Sequence, residues 1–428
     1  MRASNRFFDP LLEHIRTLPV VDCHDHSAEC GPACTDPIGA IISGYFPSDI
    51  QSASSDEEVQ KIIDTSLSLE ERWPVLERAW KRTSHTGYAQ VTRRVLKHFY
   101  GEDELSLDAL KRIEGKLLDL EDEKTWIGIL DEAGIVCRLA NISIDEKKIM
   151  DGSLKLPPRA RIVIGLPAYH QIRSFEEVQT IGSVVGKRIT SLDEFLHTCH
   201  EIFTAYKAYG AVAFKDQSAY SRDIGYTNPP RAEAERVFNS FIEDPRRSSS
   251  YPEGIRPLDD YLFHEFMRMA RELELPVQIH TGHMAGIRND IRKTNAALFT
   301  NVLELHRDVR FDLFHANWPY SGELLFLCKN YPNVAIDFCW TNIIDPIYCR
   351  RMLEQAISCV PHSKIHGYGS DFEGHVERAW AHVQIARENI AVALSNLVDM
   401  EYLGLEEAKV VARDILFTNP NEFFDLGL

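Results

Sequence analysis

The stretch LPVVDCHDH, residues 18–26, decides the predicted fold because it joins a short valine-rich apolar run to two histidines. Side chains alternate between the two faces of a β-strand, so His24 and His26 point to the same side. A His-x-His pair alone is a weak signal in a chain with 17 histidines. Its position at the end of a predicted strand gives it weight, because parallel barrels carry their functional residues at strand ends.

Seven more apolar runs of the same kind follow along the chain. They are IVCRLAN (135–141), RIVIGLP (161–167), AVAFKD (211–216), PVQIH (276–280), RFDLFH (310–315), NVAIDF (333–338) and KIHGYGSDF (364–372). Helix-like stretches stand between most of them, and Ser191 with Glu194 forms a capping-box pattern at the start of one. Eight strands alternating with helices predict a parallel α/β fold, the (β/α)8 TIM barrel. A doubly wound open sheet is the alternative, but no GxGxxG pattern follows the first strand.

Two connections between predicted strands are too long for bare loops. Residues 31–130 contain helical segments such as EERWPVLERAWKR (70–82) and YAQVTRRVLKHFYG (88–101), the latter with Gly101 at a C-cap position. We interpret this insertion as a helical lid over the barrel mouth. Residues 217–256 form a second, polar and proline-containing insertion. The expected organisation is a single barrel domain over residues 1–428 that carries both insertions.

Composition and charge exclude several classes of protein. Apolar residues make up 44% and charged residues 26% of the chain, the balance of a soluble globular protein. Acidic residues number 64 and basic residues 47, and the formal charge of −17 repels nucleic-acid backbones and anionic membranes. No apolar segment is long enough to span a bilayer. We therefore expect a cytoplasmic protein with a small-molecule substrate and no nucleic-acid or membrane partner.

The cysteines indicate a reducing compartment. There are nine, an odd number scattered over a long chain without the density of a disulfide framework. We expect reduced thiols. A homo-oligomer is the default expectation for the assembly.

The remaining candidates for metal binding also fall at the ends of predicted strands. Lys215, His280, His315 and Asp371 lie at the ends of the fourth, fifth, sixth and eighth runs. In a barrel these carboxyl ends meet at one face, where such enzymes keep their active sites. Imidazoles and a carboxylate suit zinc, with manganese or iron as alternatives. The pattern predicts one or two divalent metals per chain.

With these residues the sequence resembles the amidohydrolase superfamily, the metal-dependent hydrolases on a (β/α)8 barrel. The resemblance runs from about residue 18 to the C-terminus and rests on the six strand-end residues His24, His26, Lys215, His280, His315 and Asp371. The segments QIHTGH, FHANWPY, YPNVAIDFCW and GYGSDF resemble the branch that includes uronate isomerases and decarboxylases. The long helical insertion is also similar to that of uronate isomerases. Phe372 and Glu373 follow Asp371, however, so the arginine expected two residues after the aspartate of those isomerases is absent.

The resemblance implies a metal-dependent hydrolase that acts on a small amide, lactone or ester through a metal-activated hydroxide. Asp371, His315 and Lys215 are the predicted catalytic residues. Asp371 would ligate the metal and take the proton of the attacking water. In binuclear relatives the strand-four lysine is carbamylated and bridges two metals, and Lys215 is placed for this role. Alternatively, Lys215 faces a substrate carboxylate.

Five further residues are candidates for substrate binding. Their positions in loops after the strands predict that they reach the barrel mouth: His283, Arg222, Tyr220, Trp318 and Trp340. Arg222 is suited to clamp a carboxylate with two hydrogen bonds. His170 also follows a strand, without a partner that the sequence can name.

Two other functions compete with hydrolysis. A single metal held by His24, His26 and Asp371, with help from His280, would suit a uronate-type isomerase or a decarboxylase of a small carboxylic acid. A barrel that has lost catalysis and only binds a ligand is the third possibility. The six intact candidate residues argue against this last hypothesis.

Overall fold

A computed structural model describes residues 5–27 and 34–428. In this part of the chain eight parallel strands pair in the order of the sequence: β1 (Val20–Asp25), β2 (Ile135–Ala140), β3 (Ala160–Gly165), β4 (Ala213–Asp216), β5 (Val277–Ile279), β6 (Phe311–Leu313), β7 (Val334–Asp337) and β8 (Ile365–His366). The backbone N–H of Cys23 donates to the carbonyl of Tyr368, just after β8, at 3.1 Å, which brings the last strand beside the first. The predicted (β/α)8 barrel is confirmed.

Each strand overlaps the apolar run that predicted it, and the largest difference lies at β8. The run 364–372 forms a strand only at Ile365–His366, and residues 367–372 are a loop. This loop stays tied to β1, since the N–H of Asp371 donates to the carbonyl of His24 at 2.8 Å. The loop therefore holds Asp371 next to the two histidines of β1.

Twelve α-helices precede β4 in the described residues. They are α1 (Phe8–Arg16), α2 (Pro37–Ile42), α3 (Phe46–Ala53), α4 (Asp56–Ile63), α5 (Leu69–Thr83), α6 (Gly87–Tyr100), α7 (Leu107–Ile113), α8 (Glu123–Ala133), α9 (Glu146–Met150), α10 (Pro167–His170), α11 (Phe175–Val184) and α12 (Leu192–Tyr209). Of these, α2 to α8 form most of the first insertion. Gly101 ends α6 with a φ of 72°, as the sequence predicts for a glycine C-cap. Ser191 caps α12 by accepting from the N–H of Glu194, whereas the Glu194 carboxylate accepts from the N–H of Thr190.

The helices after β4 complete the outer layer. They are α13 (Arg231–Glu243), α14 (Arg256–Glu272), α15 (Thr300–Leu305), α16 (Ser321–Asn330), α17 (Thr341–Ile344), α18 (Pro346–Cys359), α19 (Val376–Asp399), α20 (Leu405–Arg413) and α21 (Asn419–Phe423). The sequence did not predict α13, which lies inside the polar insertion at 217–256. Its sequence RAEAERVFNSFIE buries Ala234, Phe238 and Phe241 on one face, the pattern of an amphipathic helix.

A small buried apolar cluster joins the early strands to the C-terminal segment. It contains Val21, Cys23, Cys137 and Val163 together with Phe424. The cysteines in the described residues are free thiols, as expected, and Cys30 lies outside them. Across residues 5–27 and 34–428, no helix has the length and apolar character needed to cross a membrane.

Candidate metal centre

The ends of β1 and β8 bring two histidines and an aspartate together. The Nε2 atoms of His24 and His26 lie 3.0 Å apart. They lie 3.4 Å and 3.1 Å, respectively, from Oδ1 of Asp371. The pairing of β1 with β2 is irregular between Asp22 and Asp25, next to the two histidines. Three donor atoms therefore converge on one point at the carboxyl end of the barrel.

The ends of β5 and β6 place a second pair of histidines on the other side of Asp371. His315 Nε2 lies 3.3 Å from His280 Nδ1 and 4.0 Å from Oδ2 of Asp371. Oδ1 of this carboxylate thus faces the β1 pair, and Oδ2 faces His315 of the second pair. His315 has a φ of 58° and Asp371 a φ of 57°, a left-handed backbone that costs non-glycine residues about 1–3 kcal/mol. Such strain is concentrated at functional sites.

Main-chain carbonyls fix which ring nitrogen of three histidines is free. Nδ1 of His26 lies 2.8 Å from the carbonyl of Asn141, and Nδ1 of His315 lies 2.9 Å from that of Cys339. Nε2 of His280 lies 2.7 Å from the carbonyl of His283. A carbonyl oxygen only accepts, so each of these nitrogens carries the proton. The opposite nitrogen of each neutral ring keeps its lone pair and faces the centre, which is how metal-binding histidines are oriented.

Electrostatics keeps most of these imidazoles neutral. Burial, followed by the charge of Lys215, lowers the pKa of His24 and of His280 well below the usual value. Burial and then His280 do the same for His315. For His26 burial is opposed by the hydrogen bond and charge of Asp371, and the net effect is a raised pKa.

Lys215 lies near the end of β4, in an unusual environment for a lysine. It is buried, and its Nζ has no hydrogen-bond partner among the described residues. The Nζ lies 3.3 Å from the centre of the Phe314 ring. Burial lowers the pKa of the ammonium to about 8, against a weaker opposing effect from Asp371. The amine is therefore partly neutral at physiological pH, the form that can react with carbon dioxide.

The donor set fits divalent metal. Imidazole nitrogens with free lone pairs and a carboxylate are the ligands of zinc, manganese and iron sites. Three crowded donors around one point, with an unpartnered lysine nearby, are unfavourable without a cation or a modified lysine to join them. His24, His26 and Asp371 would hold one ion, and His280 and His315 with a modified Lys215 a second.

A cavity of about 510 Å³ opens above this centre. It is lined by residues from the barrel and from the first insertion: His24, His26, Gly44, Tyr45, Lys215, Gln217, Tyr220, His280, Ala285, Asp371, Phe372, Glu373 and His375. No arginine lines it among the residues that the structure describes. The cavity is the size of a small-molecule site.

Comparisons with known proteins agree with this architecture. The family model described as Amidohydrolase matches residues 243–426, a range that contains His280, His315 and Asp371. The matched part of the chain is thus similar to the amidohydrolase family. Its resemblance to that superfamily, stated from the strand-end residues, is confirmed.

Individual proteins that the chain resembles are distant in sequence. Protein fluG of Emericella nidulans is 22% identical over 96% of the chain, and the match spans 46% of that protein, about half its length. The uronate isomerase of Thermotoga neapolitana is 20% identical over 98% of both sequences. The crystal structure of uronate isomerase from Thermotoga maritima has a TM-score of 0.79 at 15% identity and covers 98% of both chains. The structural likeness establishes the shared barrel fold.

Of the predicted substrate residues, Tyr220 and His283 lie close to the candidate metal-binding side chains. Tyr220 lines the cavity, and its ring centre is 4.8 Å from that of His280. The hydroxyl of Tyr220 accepts from the N–H of Ala285 at 3.1 Å. His283 lies 3.3 Å from the hydroxyl of Tyr88 in α6, and burial lowers its pKa to about 4.

The two predicted tryptophans lie behind the cavity rather than in its lining. Trp340 is buried and stacks on Tyr45, with ring centres 4.1 Å apart. It also meets the His315 ring edge-on at 5.3 Å. Trp318 packs against His283 at 5.3 Å and lines a separate cleft beside α6 and α18. Both positions support neighbouring side chains, as expected of aromatic packing behind an active site.

Arg222 and His170 belong to a buried cluster outside the cavity. Nη1 of Arg222 lies 2.7 Å from Asp259 and 2.5 Å from Asp260, so its guanidinium is already paired. This placement corrects the expectation that Arg222 clamps a substrate. His170 contacts Asp259 through Nδ1 and lies 3.5 Å from Asp216 through Nε2. Their partners come from α14 and β4, at separations that sequence spacing does not reveal.

Tyr45 is the main site residue that sequence reasoning missed. Tyr45 lies in the segment between α2 and α3. Its hydroxyl donates to the main-chain carbonyl of Asp371, and its side chain lines the cavity. Gly44 precedes it with a φ of 70°, and an added Cβ would lie 2.9 Å from the Phe372 ring. The only signal for Tyr45 was its place in an insertion after β1, which is too general to single it out.

Proposed function

We propose that the protein is a metal-dependent enzyme that acts on the carbonyl group of a small molecule. The observation that carries this proposal is the orientation of His26 and His315, whose free Nε2 atoms lie 3.1 Å and 4.0 Å from the Asp371 carboxylate. The free Nδ1 of His280 lies 3.3 Å from Nε2 of His315. A metal bound there would polarise a substrate carbonyl and lower the pKa of a bound water toward about 7. Metal-free packing would not require three separate carbonyls to leave the inward-facing nitrogen of each ring unprotonated.

The chain's own residues supply the remaining functions of the site. Asp371 is the proton acceptor, because its carboxylate lies beside His26 and His315 and borders the cavity. The Tyr45 hydroxyl holds the main chain of Asp371, which fixes the direction of that carboxylate. Lys215 lines the cavity and would either help to hold metal after carbamylation or, unmodified, donate to the substrate. His315 keeps its proton on Nδ1 and leaves Nε2 for ligation.

Hydrolysis of a neutral or cationic amide, lactone or ester is the reaction that the cavity supports best. A carboxylate substrate needs a cationic partner, and the described lining offers no arginine. Glu373 lines the cavity two residues after Asp371, where an isomerase of this type is expected to have an arginine. A negative side chain at this point disfavours an anionic substrate.

Isomerisation of a uronate is the second candidate, and the named relatives favour it over hydrolysis. The uronate isomerase of Thermotoga neapolitana matches 98% of the chain, and the match spans 98% of that isomerase. The insertion after β1 contributes Tyr45 to the cavity, so the cavity wall includes a part of the chain that resembles the insertion of uronate isomerases. Under this hypothesis Lys215 or His375 would contact the substrate carboxylate.

A substrate panel separates the two reactions. Zinc-loaded and manganese-loaded protein would be assayed against lactones, esters and amides, and in parallel against uronates and aromatic acids. Hydrolysis of neutral compounds supports the first proposal, and turnover of carboxylic acids without hydrolysis supports the second. Asp371→Asn should abolish either activity, whereas Asp399→Asn, an exposed aspartate at the end of α19, should not.

The same variants address a barrel that only binds ligand. Such a protein would show no turnover in either panel, and Asp371→Asn would leave ligand binding intact. The proposed enzyme is further expected to be cytoplasmic and homo-oligomeric. It is also expected to form a single domain with a helical lid. These expectations rest on the sequence.

A further inference from the structure

Cys339, directly after β7, has its thiol at the metal centre. The donor atoms of His315, Cys339 and Asp371 all lie within 4.8 Å of one another, and the three residues are buried. No strand-end pattern in the sequence pointed to this cysteine. Its position adds a sulfur atom to the donors that surround Asp371.

The turn after β7 holds Cys339 rigidly against a predicted ligand. The N–H of Cys339 donates to Oδ1 of Asp337 at 2.7 Å. Its carbonyl accepts from Nδ1 of His315 at 2.9 Å, so the same residue orients that imidazole. Trp340 then adopts a φ of 60° and donates its N–H to the carbonyl of Gly369 at 2.9 Å. Backbone contacts on both sides therefore fix where the thiol lies.

The loop after β8 leaves room for this thiol. A Cβ added to Gly369 would lie 2.7 Å from Cβ and 2.8 Å from Sγ of Cys339. Real Cβ atoms do not approach so closely, and Gly369 does not have the positive φ that would explain a glycine by backbone conformation. The glycine is required by the close approach of Cys339 to the segment that carries Asp371.

Asp371 divides the donors into two groups. Its Oδ1 faces His24 and His26, and its Oδ2 faces His315. The thiol of Cys339 belongs to the second group. A thiolate there would complete a soft nitrogen, sulfur and oxygen donor set beside the harder group at β1.

We propose that Cys339 ligates the metal on the His315 side of Asp371 through its thiolate. This inference rests on the proposed function, because it requires that the centre binds metal. On ligation the S–H bond breaks, the sulfur lone pair forms the bond to the metal, and the proton leaves to solvent. The ligand set then discriminates between ions, since thiolate favours zinc and cobalt over manganese and magnesium.

Cobalt substitution tests the proposal directly. The protein would be purified without chelator, exchanged with Co²⁺, and examined by absorption in the visible and near-ultraviolet. We expect a sulfur-to-cobalt charge-transfer band that disappears in Cys339→Ser. Cys349→Ser is the matched control, because Cys349 is equally buried but its Sγ lies 3.1 Å from Oδ1 of Asn342, away from the centre. The band should persist unchanged in this control.

A second measurement examines the zinc-bound wild type and then compares the metal preference of Cys339→Ser with it. X-ray absorption at the zinc edge of the wild-type holoprotein should show a sulfur neighbour at about 2.3 Å beside the nitrogen and oxygen neighbours at about 2.0–2.2 Å. Cys339→Ser should also weaken zinc binding relative to manganese by at least about 10-fold.

The outcomes separate the two proposals. Visible cobalt bands without a charge-transfer band, together with a zinc spectrum that lacks sulfur, would overturn ligation by Cys339 and leave the metal centre standing. Absence of cobalt and zinc binding in the wild type would overturn both. A band that survives in Cys339→Ser but is lost in Cys349→Ser would also overturn the assignment.

Discussion

Replacement of Lys215 by methionine should stabilise the metal-free protein at neutral pH. The ammonium of Lys215 is buried without a hydrogen-bond partner, and burial lowers its pKa from 10.5 to about 8. That difference corresponds to about 3.4 kcal/mol of unfolding free energy when both states are protonated. Methionine has a similar length and no charge, so the variant should gain up to about 3 kcal/mol at pH 7. It should at the same time lose the activity that the metal centre supports.

The gain should depend on pH in a defined direction. The folded-state pKa of Lys215 lies below the unfolded one, so the folded protein releases this proton first as the pH rises. Between about pH 8 and 10.5 the wild type should therefore recover about 1.4 kcal/mol per pH unit relative to the variant. The advantage of Lys215→Met should be full at pH 7 and absent near pH 10.5.

Chemical unfolding at several pH values measures both effects. The experiment uses protein stripped with chelator in buffers free of carbon dioxide, followed by tryptophan fluorescence, and compares wild type with Lys215→Met. Lys364→Met is the control: its Nζ donates to the carbonyls of Cys328 and Tyr331, so its loss should destabilise by about 1–3 kcal/mol. A Lys215→Met variant that is less stable than wild type at pH 7 would contradict an unfavourable buried ammonium. So would a gain in unfolding free energy that is the same at pH 7 and pH 10.

Three further perturbations follow from the geometry of the site and its supports. Gly282→Ala should lower the unfolding free energy by about 2–4 kcal/mol in denaturant titrations and reduce metal retention, because Gly282 has a φ of 68° and an added Cβ would lie 2.6 Å from backbone atoms of Asn317 and Trp318. Gly286→Ala is the control. Gly286 has a φ of 82° but open space around it, so this change should cost only about 1–2 kcal/mol. The buried pair with Asp259 and the charge of Asp216 outweigh burial and raise the pKa of His170 to about 9. Its stabilising effect should therefore be full below about pH 6.5 and lost toward pH 9, so His170→Gln should show a deficit of up to about 3 kcal/mol at pH 6 that has vanished at pH 9.5. Tyr45→Phe removes the donor to the Asp371 carbonyl and should lower kcat/KM about 5- to 10-fold on whichever substrate the panel identifies, with no change in metal content; equal activity would contradict the role given to Tyr45.

The barrel and the strand-end residues were predictable because they depend on local patterns. Each strand is a short run of β-branched and aromatic residues, and parallel strands of a barrel end at one face. His24, His280 and Asp371 could therefore be assigned to one site without knowledge of any contact. The loop after β8 shows the limit of this reasoning, since the pattern extended the strand to Phe372 and the structure ends it at His366.

Residues that reach the site through long-range packing were not predictable. Tyr45 arrives from an insertion, and Cys339 from a turn whose geometry depends on Asp337 and on Gly369. The prediction that Arg222 binds substrate was wrong because long-range packing takes this residue away from the site. It follows a strand like a site residue, but Asp259 and Asp260 of α14 pair with it in the core. Which charged group finds a buried partner is decided by tertiary packing, and spacing along the chain does not reveal it.

The most direct test of the metal centre is the metal content per chain. Elemental analysis would be made on protein purified without chelator from medium supplemented with zinc and manganese, for the wild type and for His26→Ala. We predict one or two divalent ions per wild-type chain and the loss of at least one in the variant, because His26 offers a free ring nitrogen to the centre. A wild-type protein that retains no metal after supplementation, or a variant that retains all of it, would contradict the account.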